Sequence, residues 1–262
     1  MHNIKLTLAY DGSDFHGWQI QPGQATIQGA LTDIVRKLTQ EKLTVHGAGR
    51  TDAGVHALGQ VAHFKTQSGL SAGEFQRAFN ALLPPSIRAL TAEEVGPDFH
   101  ARWQALAKTY HYRIFRGAVV PPFERRYVLH YPYSLDLPRM IEAARLFEGE
   151  HDFFSFAAST GSEEDDRERA TLRAIYRSEL VASEESHTLT YVVRGRSFLR
   201  FMVRKMVGTL LEVGRGRLAP ADLPALFERR DPSRSGPTVP PHGLYLVSVE
   251  YPDPAASLEP RP

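Results

Sequence analysis

The feature that most limits how this chain can fold is an order of hydrophobic periodicities that occurs twice. In the first pass, Ile4, Leu6, Leu8 and Tyr10 alternate with more polar positions, the period of a half-buried strand. Behind Thr26, whose hydroxyl suits a helix cap, Ile27, Leu31, Ile34, Val35 and Leu38 recur at helical spacing. The runs LTVHG and GQVAHF read as strands on either side of a glycine-rich loop. Ser71 and Glu74 have the spacing of a capping box, opening a helix that carries Phe75, Ala78, Phe79, Leu82 and Leu83. Pro84 and Pro85 stop that helix, and SIRALTAEEV follows as a strand.

The second pass repeats the order. ALAKTYHYRIF alternates as a strand, LDLPRMIEAARLFEG is helical in pattern, and TLRAIYRSELV pairs naturally with HTLTYVVRG as a hairpin. A helix from Ser197 to about Val213 and the strand GLYLVSVEY close it, with insertions at an extra strand, 127–131, and a short helix, 220–230. The expected fold is α+β: two ferredoxin-like βαββαβ halves whose mixed, mostly antiparallel sheet is flanked by helices. The join is expected near residues 96–102, giving an N-terminal half over 1–100, a C-terminal half over 101–251 and a Pro-rich frayed tail over 252–262. GSEEDDRER, 161–169, is acidic and lacks large apolar groups, so it reads as an exposed loop.

Composition removes several chemistries. No cysteine is present, which excludes disulfides, thiolate nucleophiles and zinc-thiolate sites and leaves the cytoplasm as the expected compartment. The opening MHNIKLTLAYDGSDF has neither the basic region nor the apolar run of a secretion signal, and no run approaches the roughly 18 apolar residues of a membrane span. Lys and Arg total 31 against 30 for Asp and Glu, so any attraction to a polyanion must be local. No HExxH, GxxxxGK[ST] or GxSxG pattern occurs, and His63, His100 and His111 each sit singly beside strand-like runs, so they read as structural or RNA-facing and no metal is expected.

Positive charge is concentrated in one place. Arg194, Arg196, Arg200, Arg204, Lys205, Arg215 and Arg217 stand against the single acid Glu212, a local charge of about six units. Arg196, Arg200 and Arg204 are four apart, so a helix would stack them in one stripe beside the apolar face of Phe198, Met202, Val203, Met206 and Leu210. Such a stripe is either a solvated face or a cation set aimed at a carboxylate or a polyanion, and Asp52 is the candidate carboxylate. Asp52 stands in GAGRTDAGVHALGQ, 47–60, where glycines allow a sharp turn that presents side chains outward. From spacing alone, that loop is equally a local turn capped by Asp52 or a catalytic loop.

Together these motifs resemble the tRNA pseudouridine synthases of the TruA type. The likeness runs from YDGSDFHGWQ through GAGRTDAGVHALGQVAHF, FHARW, AKTYHYRIF, GEHDFFSF, TLRAI and FLRFMVRKMVG to GLYLVSVEY, nearly the whole chain. It departs at Phe201, where relatives often carry a polar residue, at Pro241 and in the composition of the acidic loop. The resemblance implies that Asp52 is the catalytic aspartate and that Arg50 helps to displace the target base. It further implies that Tyr110 stacks on the uracil and that Arg204 pairs with the aspartate. It implies a pseudouridine synthase fold, a homodimer, no cofactor, and uridines of the tRNA anticodon stem-loop at the sites called 38, 39 and 40 as substrate.

The reaction breaks the bond from ribose C1′ to uracil N1, turns the base and joins C1′ to C5. The base must leave its stack, at a cost of a few kcal/mol that stacking on an aromatic ring of about 1 to 3 kcal/mol partly offsets. A carboxylate can act as a nucleophile at C1′ or the pyrimidine ring, or as a base at C2′, and the sequence leaves these routes open. Arg196, Arg200 and Lys205 are expected phosphate contacts. Two rival readings stand beside the isomerase: a noncatalytic RNA-binding or tRNA-chaperone protein of the same fold, and a glycosidase-like enzyme that releases the base.

Overall fold

The computed structural model describes residues 1–158 and 170–253, and within them the chain forms two compact units. Met1–Lys108 joins the chain from Tyr245 onward in the first, and Thr109–Leu244 makes the second. The closing strand is thus part of the first unit, where the sequence pattern alone attached it to the C-terminal half. The acidic loop and most of the Pro-rich tail lie outside the described residues. No described helix is long and apolar enough to cross a membrane.

In the first unit the elements follow the expected order: β1 (His2–Tyr10), α1 (Ile27–Thr39), β2 (His46–Gly47), β3 (His56–Thr66), α2 (Ala72–Leu82) and β4 (Ile87–Val95). Strand β1 lies between β3 and β4 and is antiparallel to both, so Ile4, Leu6 and Leu8 project together from one face. The caps form as read: the Thr26 side chain accepts from Gly29 N at the head of α1, and Ser71 and Glu74 close a reciprocal capping box on α2. Phe75 and Phe79 of α2 pack edge-on and tilted against Phe64 of β3, with ring centroids 5.2 and 6.1 Å apart. A second, smaller cluster of Ala48, Val61 and Ala101 is covered by Phe99, Val249 and Tyr251.

Strand β2 is shorter than LTVHG promised, only His46–Gly47. The outer edge of β3 is shared. Gly47 pairs with Ala62 at one end, while β10 (Leu244–Glu250) runs parallel to the other, Tyr245 opposite His56 and Leu246 opposite Ala57. The loop that follows β2 therefore emerges beside a buried strand that is held on both edges.

The second unit contains β5 (Ala107–Phe115), which crosses the unit boundary, then β6 (Leu129–His130), α3 (Leu137–Arg145), β7 (Gly149–Asp152), β8 (Leu172–Ser183) and β9 (Thr188–Gly195). Helices α4 (Met202–Gly214) and α5 (Leu223–Arg229) complete it. Strands β7, β8 and β9 form an antiparallel meander, and β6 adds to β5 in parallel as the insertion anticipated over 127–131. Phe147, Phe153 and Phe156 are fully buried and surround Phe227 of α5.

Helix α4 begins at Met202, five residues later than its hydrophobic periodicity predicts. Two backbone commitments stop it from starting earlier. Arg196 N still donates to Ala174 O beyond the end of the β8–β9 ladder, and Arg200 O accepts from Ala158 N. Phe201 then caps the helix in the left-handed region, φ +64°, an uncommon conformation for a bulky side chain. The stripe of Arg196, Arg200 and Arg204 on one helix face consequently does not exist, because only Arg204 is helical.

Candidate active site

The loop between β2 and β3 sorts its polar side chains by depth. Arg50 is exposed, Thr51 is buried and Asp52 is half-buried, so the three adjacent residues of RTD do different work. The Thr51 hydroxyl lies 2.9 Å from the hydroxyl of buried Tyr10 at the end of β1. Gln60 of β3 adds a second fastening, its Nε2 donating to Gly49 O at 2.9 Å and to the Tyr10 hydroxyl at 3.4 Å. Burial pushes the Tyr10 phenol up to about 12, so it stays protonated and able to donate throughout the physiological range.

A second segment clasps the loop from outside. Trp18 N donates to Thr51 O at 3.0 Å, and Gly54 N donates to Phe15 O at 3.3 Å. Between these bonds sits Gly17, with φ +86° and its α-carbon so close that a β-carbon would stand 2.6 Å from Thr51 O. Only glycine satisfies both the conformation and the approach. The motif YDGSDFHGWQ is therefore the outer wall of the loop that carries Asp52. Nearby, Nδ1 of buried His56 lies 3.2 Å from both Gly12 N and an Asp11 carboxylate oxygen.

In the second unit, Tyr110 is buried on β5 with its ring packed edge-on against Phe198 at 5.0 Å. Arg204 is half-buried on α4 and its Nε donates to Val239 O at 2.7 Å. The guanidinium carbons of Arg204 and Arg200 stand 4.8 and 4.7 Å from the Phe201 ring centroid, so the left-handed cap residue holds both cations by its π-face. Arg196 and Arg200 are exposed.

Lys205 departs from its expected place at the RNA surface. It is half-buried, and its ammonium donates to Ser155 O, Pro232 O and Ser235 Oγ. Those three bonds use all three donors of the group, which makes Lys205 an internal tie between α4 and the loops beneath it.

The histidines also differ from the expectation that they stand singly. His46, His63 and His100 form one cluster with ring centroids 4.6 to 5.2 Å apart, and His100 stacks on Trp103 at 3.8 Å. Ala101 N donates to His63 Nδ1, and burial together with His100 and His46 pushes His63 down to about 4. Among the described residues no group of three or more His, Asp or Glu is arranged to hold a metal ion. Two groups escaped the sequence reading. The Tyr10, Thr51 and Gln60 network spans 50 positions and has no local signature. Lys108 did have one: it shares the inward positions of β5 with Tyr110 and Tyr112.

The sequence profile of the tRNA pseudouridine synthase family matches residues 7–104 and 143–252. The chain belongs to this family. A protein named tRNA pseudouridine synthase A from Solibacter usitatus is 52% identical over 251 residues, covering 96% of this chain and all of the relative. Proteins of that name from Geobacillus kaustophilus, and of the name tRNA pseudouridine synthase A 1 from Desulfotalea psychrophila, are 44% and 43% identical. Coverage is 95% of each chain for the former, and 96% of this chain and all of the relative for the latter. As a tRNA pseudouridine synthase the chain is an isomerase, and its α+β architecture of mixed sheets flanked by helices is the pseudouridine synthase fold.

Proposed function

We propose that this synthase isomerises uridines of the tRNA anticodon stem-loop, at the sites called 38, 39 and 40, with the Asp52 carboxylate as the catalytic group. The observation that carries the assignment of Asp52 is the fastening of its loop. Thr51 is pinned from within by Tyr10 and from outside by Trp18, while Asp52 is left half-buried between. A carboxylate so held is positioned before substrate arrives, which is what chemistry at a single bond requires. The resemblance supplies the remaining roles: Tyr110 stacks on the flipped uracil, Arg50 fills the space the base leaves, and Arg204 keeps the carboxylate ionised. Exposed Arg196 and Arg200 remain the candidates for phosphate contact.

The bond accounting needs no redox partner. The N1–C1′ bond breaks and a C5–C1′ bond forms, while C5 gives up a proton and N1 gains one. Unmodified tRNA carrying tritium at uridine C5 tests this directly. Isomerisation releases the label and leaves the chain otherwise intact, base excision lowers the chain mass, and a binding protein does neither. Asp52→Asn is expected to bind tRNA and lose turnover; substantial pseudouridine formation by that variant would sink the assignment. Mapping pseudouridines in tRNA from cells lacking the protein tests the anticodon sites. We further propose a cytoplasmic homodimer, to be checked by light scattering of the purified protein and by fractionation of cells.

A further inference from the structure

Lys108 is 9% exposed, at the start of β5 and two residues before Tyr110. Among the described residues its ammonium has no hydrogen bond and no ion pair, and the charged group that acts on it is another cation, Arg102. An unpartnered buried cation is costly, so a fold that keeps one has usually placed it for something absent from the free protein. Its position says what. The ammonium lies against Gly49, where a β-carbon would stand 3.3 Å from Nζ, 3.6 Å from Cε and 3.8 Å from Cδ. Gly49 immediately precedes Arg50, and its lack of a side chain lets the ammonium lie against the loop that carries Asp52.

We infer that Lys108 is a substrate-binding residue whose ammonium receives a backbone phosphate oxygen of the RNA beside the extruded uridine. The inference rests on the reading of the Asp52 loop as the active site. Two cations, Arg102 and Lys108, act on each other there and exposed Arg50 follows Gly49 in the chain, and among the described residues no carboxylate is paired with any of the three. That is the charge complement of a polyanion. Arg50 and Arg102 are exposed and meet the backbone at the surface, whereas Lys108 is set back. Only a group that enters the site can reach it, and extrusion carries a nucleotide out of its stack into the enzyme's site. Burial, and to a lesser degree Arg102, lower the ammonium to about 8, so it is ready to gain from an incoming anion.

The test compares wild type, Lys108→Met and Lys108→Arg for tRNA binding across a salt series and for steady-state turnover. Methionine keeps the volume and removes the charge, and its variant is expected to melt no lower than wild type. Loss of one phosphate contact should weaken tRNA binding about tenfold and reduce the slope of log K against log salt by about 0.7 to 0.9. KM should rise with kcat little changed, and arginine should restore most of the affinity. An unchanged slope and affinity in Lys108→Met overturns the inference. So does a collapse of kcat with an unchanged slope, which would assign the ammonium to the uracil oxygens instead. Wild-type protein that binds tRNA but forms no pseudouridine would undo the functional reading, and the salt slope would still judge the phosphate contact. Failure of wild type to bind tRNA overturns both.

Discussion

The hydroxyls of Tyr10 and Thr51 meet 2.9 Å apart beneath the loop that carries Asp52, and both residues are buried. Tyr10→Phe removes one partner and leaves the Thr51 hydroxyl and the Gln60 amide short of a bond in a dry site. A stranded buried polar group costs about 1 to 3 kcal/mol. The expected outcome is a lower denaturant midpoint together with a fall in kcat that exceeds the change in KM, because Asp52 is displaced while the exposed RNA contacts stay in place. Equilibrium urea unfolding and steady-state kinetics read the two effects. Full activity in a destabilised variant would separate the network from catalysis.

Gly17 offers a sharper geometric test. Gly17→Ala forces an L side chain to φ +86° and drives its methyl to 2.6 Å from Thr51 O. The left-handed conformation alone costs about 1 to 2 kcal/mol, and the overlap adds to it by pushing the RTD segment outward. We expect a loss of at least about 2 kcal/mol in stability and a severe loss of turnover. Gly23→Ala is the control, since Gly23 also has positive φ, +72°, with nothing within 4 Å of the added carbon. It should cost about 1 kcal/mol and leave kcat unchanged. Equal damage from the two substitutions would mean that conformational strain, and not contact with the loop, sets the effect.

His63 predicts part of the acid sensitivity. Its folded value is about 4, below the ordinary 6.5, because burial and then the neighbouring His100 and His46 oppose the imidazolium. Between those values the unfolded chain holds a proton that the folded chain does not, so its contribution is present above about pH 6.5 and is lost as pH falls toward 4. The loss amounts to about 3 kcal/mol at most. His63→Asn keeps an acceptor for Ala101 N and cannot titrate, so its stability should fall less steeply over that window. Denaturant midpoints at pH 7 and near pH 5 measure the difference; parallel profiles for the two proteins would assign the acid lability elsewhere.

What could be read ahead of the structure was local. Thr26 and the Ser71 and Glu74 pair cap their helices because a capping residue needs only its own turn. Strand alternation in IKLTLAY holds because Ile4, Leu6, Leu8 and Tyr10 of β1 are buried while Lys5, Thr7 and Ala9 between them are half-buried. Periodicity failed at 197–201, since Phe198 and Leu199 have the right spacing but the backbone there is already bonded to Ala174 and Ala158. Local charge misled for Lys205, whose sequence neighbours are cationic but whose spatial neighbours are Ser155, Pro232 and Ser235. Capture of β10 by β3 was equally hidden, being a pairing of Tyr245 with His56 across most of the chain. The Asp52 loop was legible as a motif, whereas its fastening required Tyr10, Trp18 and Gln60 to be brought together.

Lys108 carries the last prediction, and its sign is opposite to that of a stabilising ion pair. The folded value of about 8 lies below the ordinary 10.5 because burial, then Arg102, disfavour the charged form. At neutral pH the folded protein bears the full penalty of the buried cation, on the order of 3 kcal/mol. Between about pH 8 and 10.5 the unfolded chain binds more protons than the folded one, so this penalty is relieved and the contribution to stability rises with pH. Lys108→Met should therefore be more stable than wild type at neutral pH, with a gap that narrows as pH approaches 10. Urea midpoints of both proteins at the two ends of that window give the difference free of titrations they share. If wild type is the more stable at neutral pH, the ammonium has an internal anionic partner, and a residue already paired cannot be waiting for the phosphate of an incoming RNA.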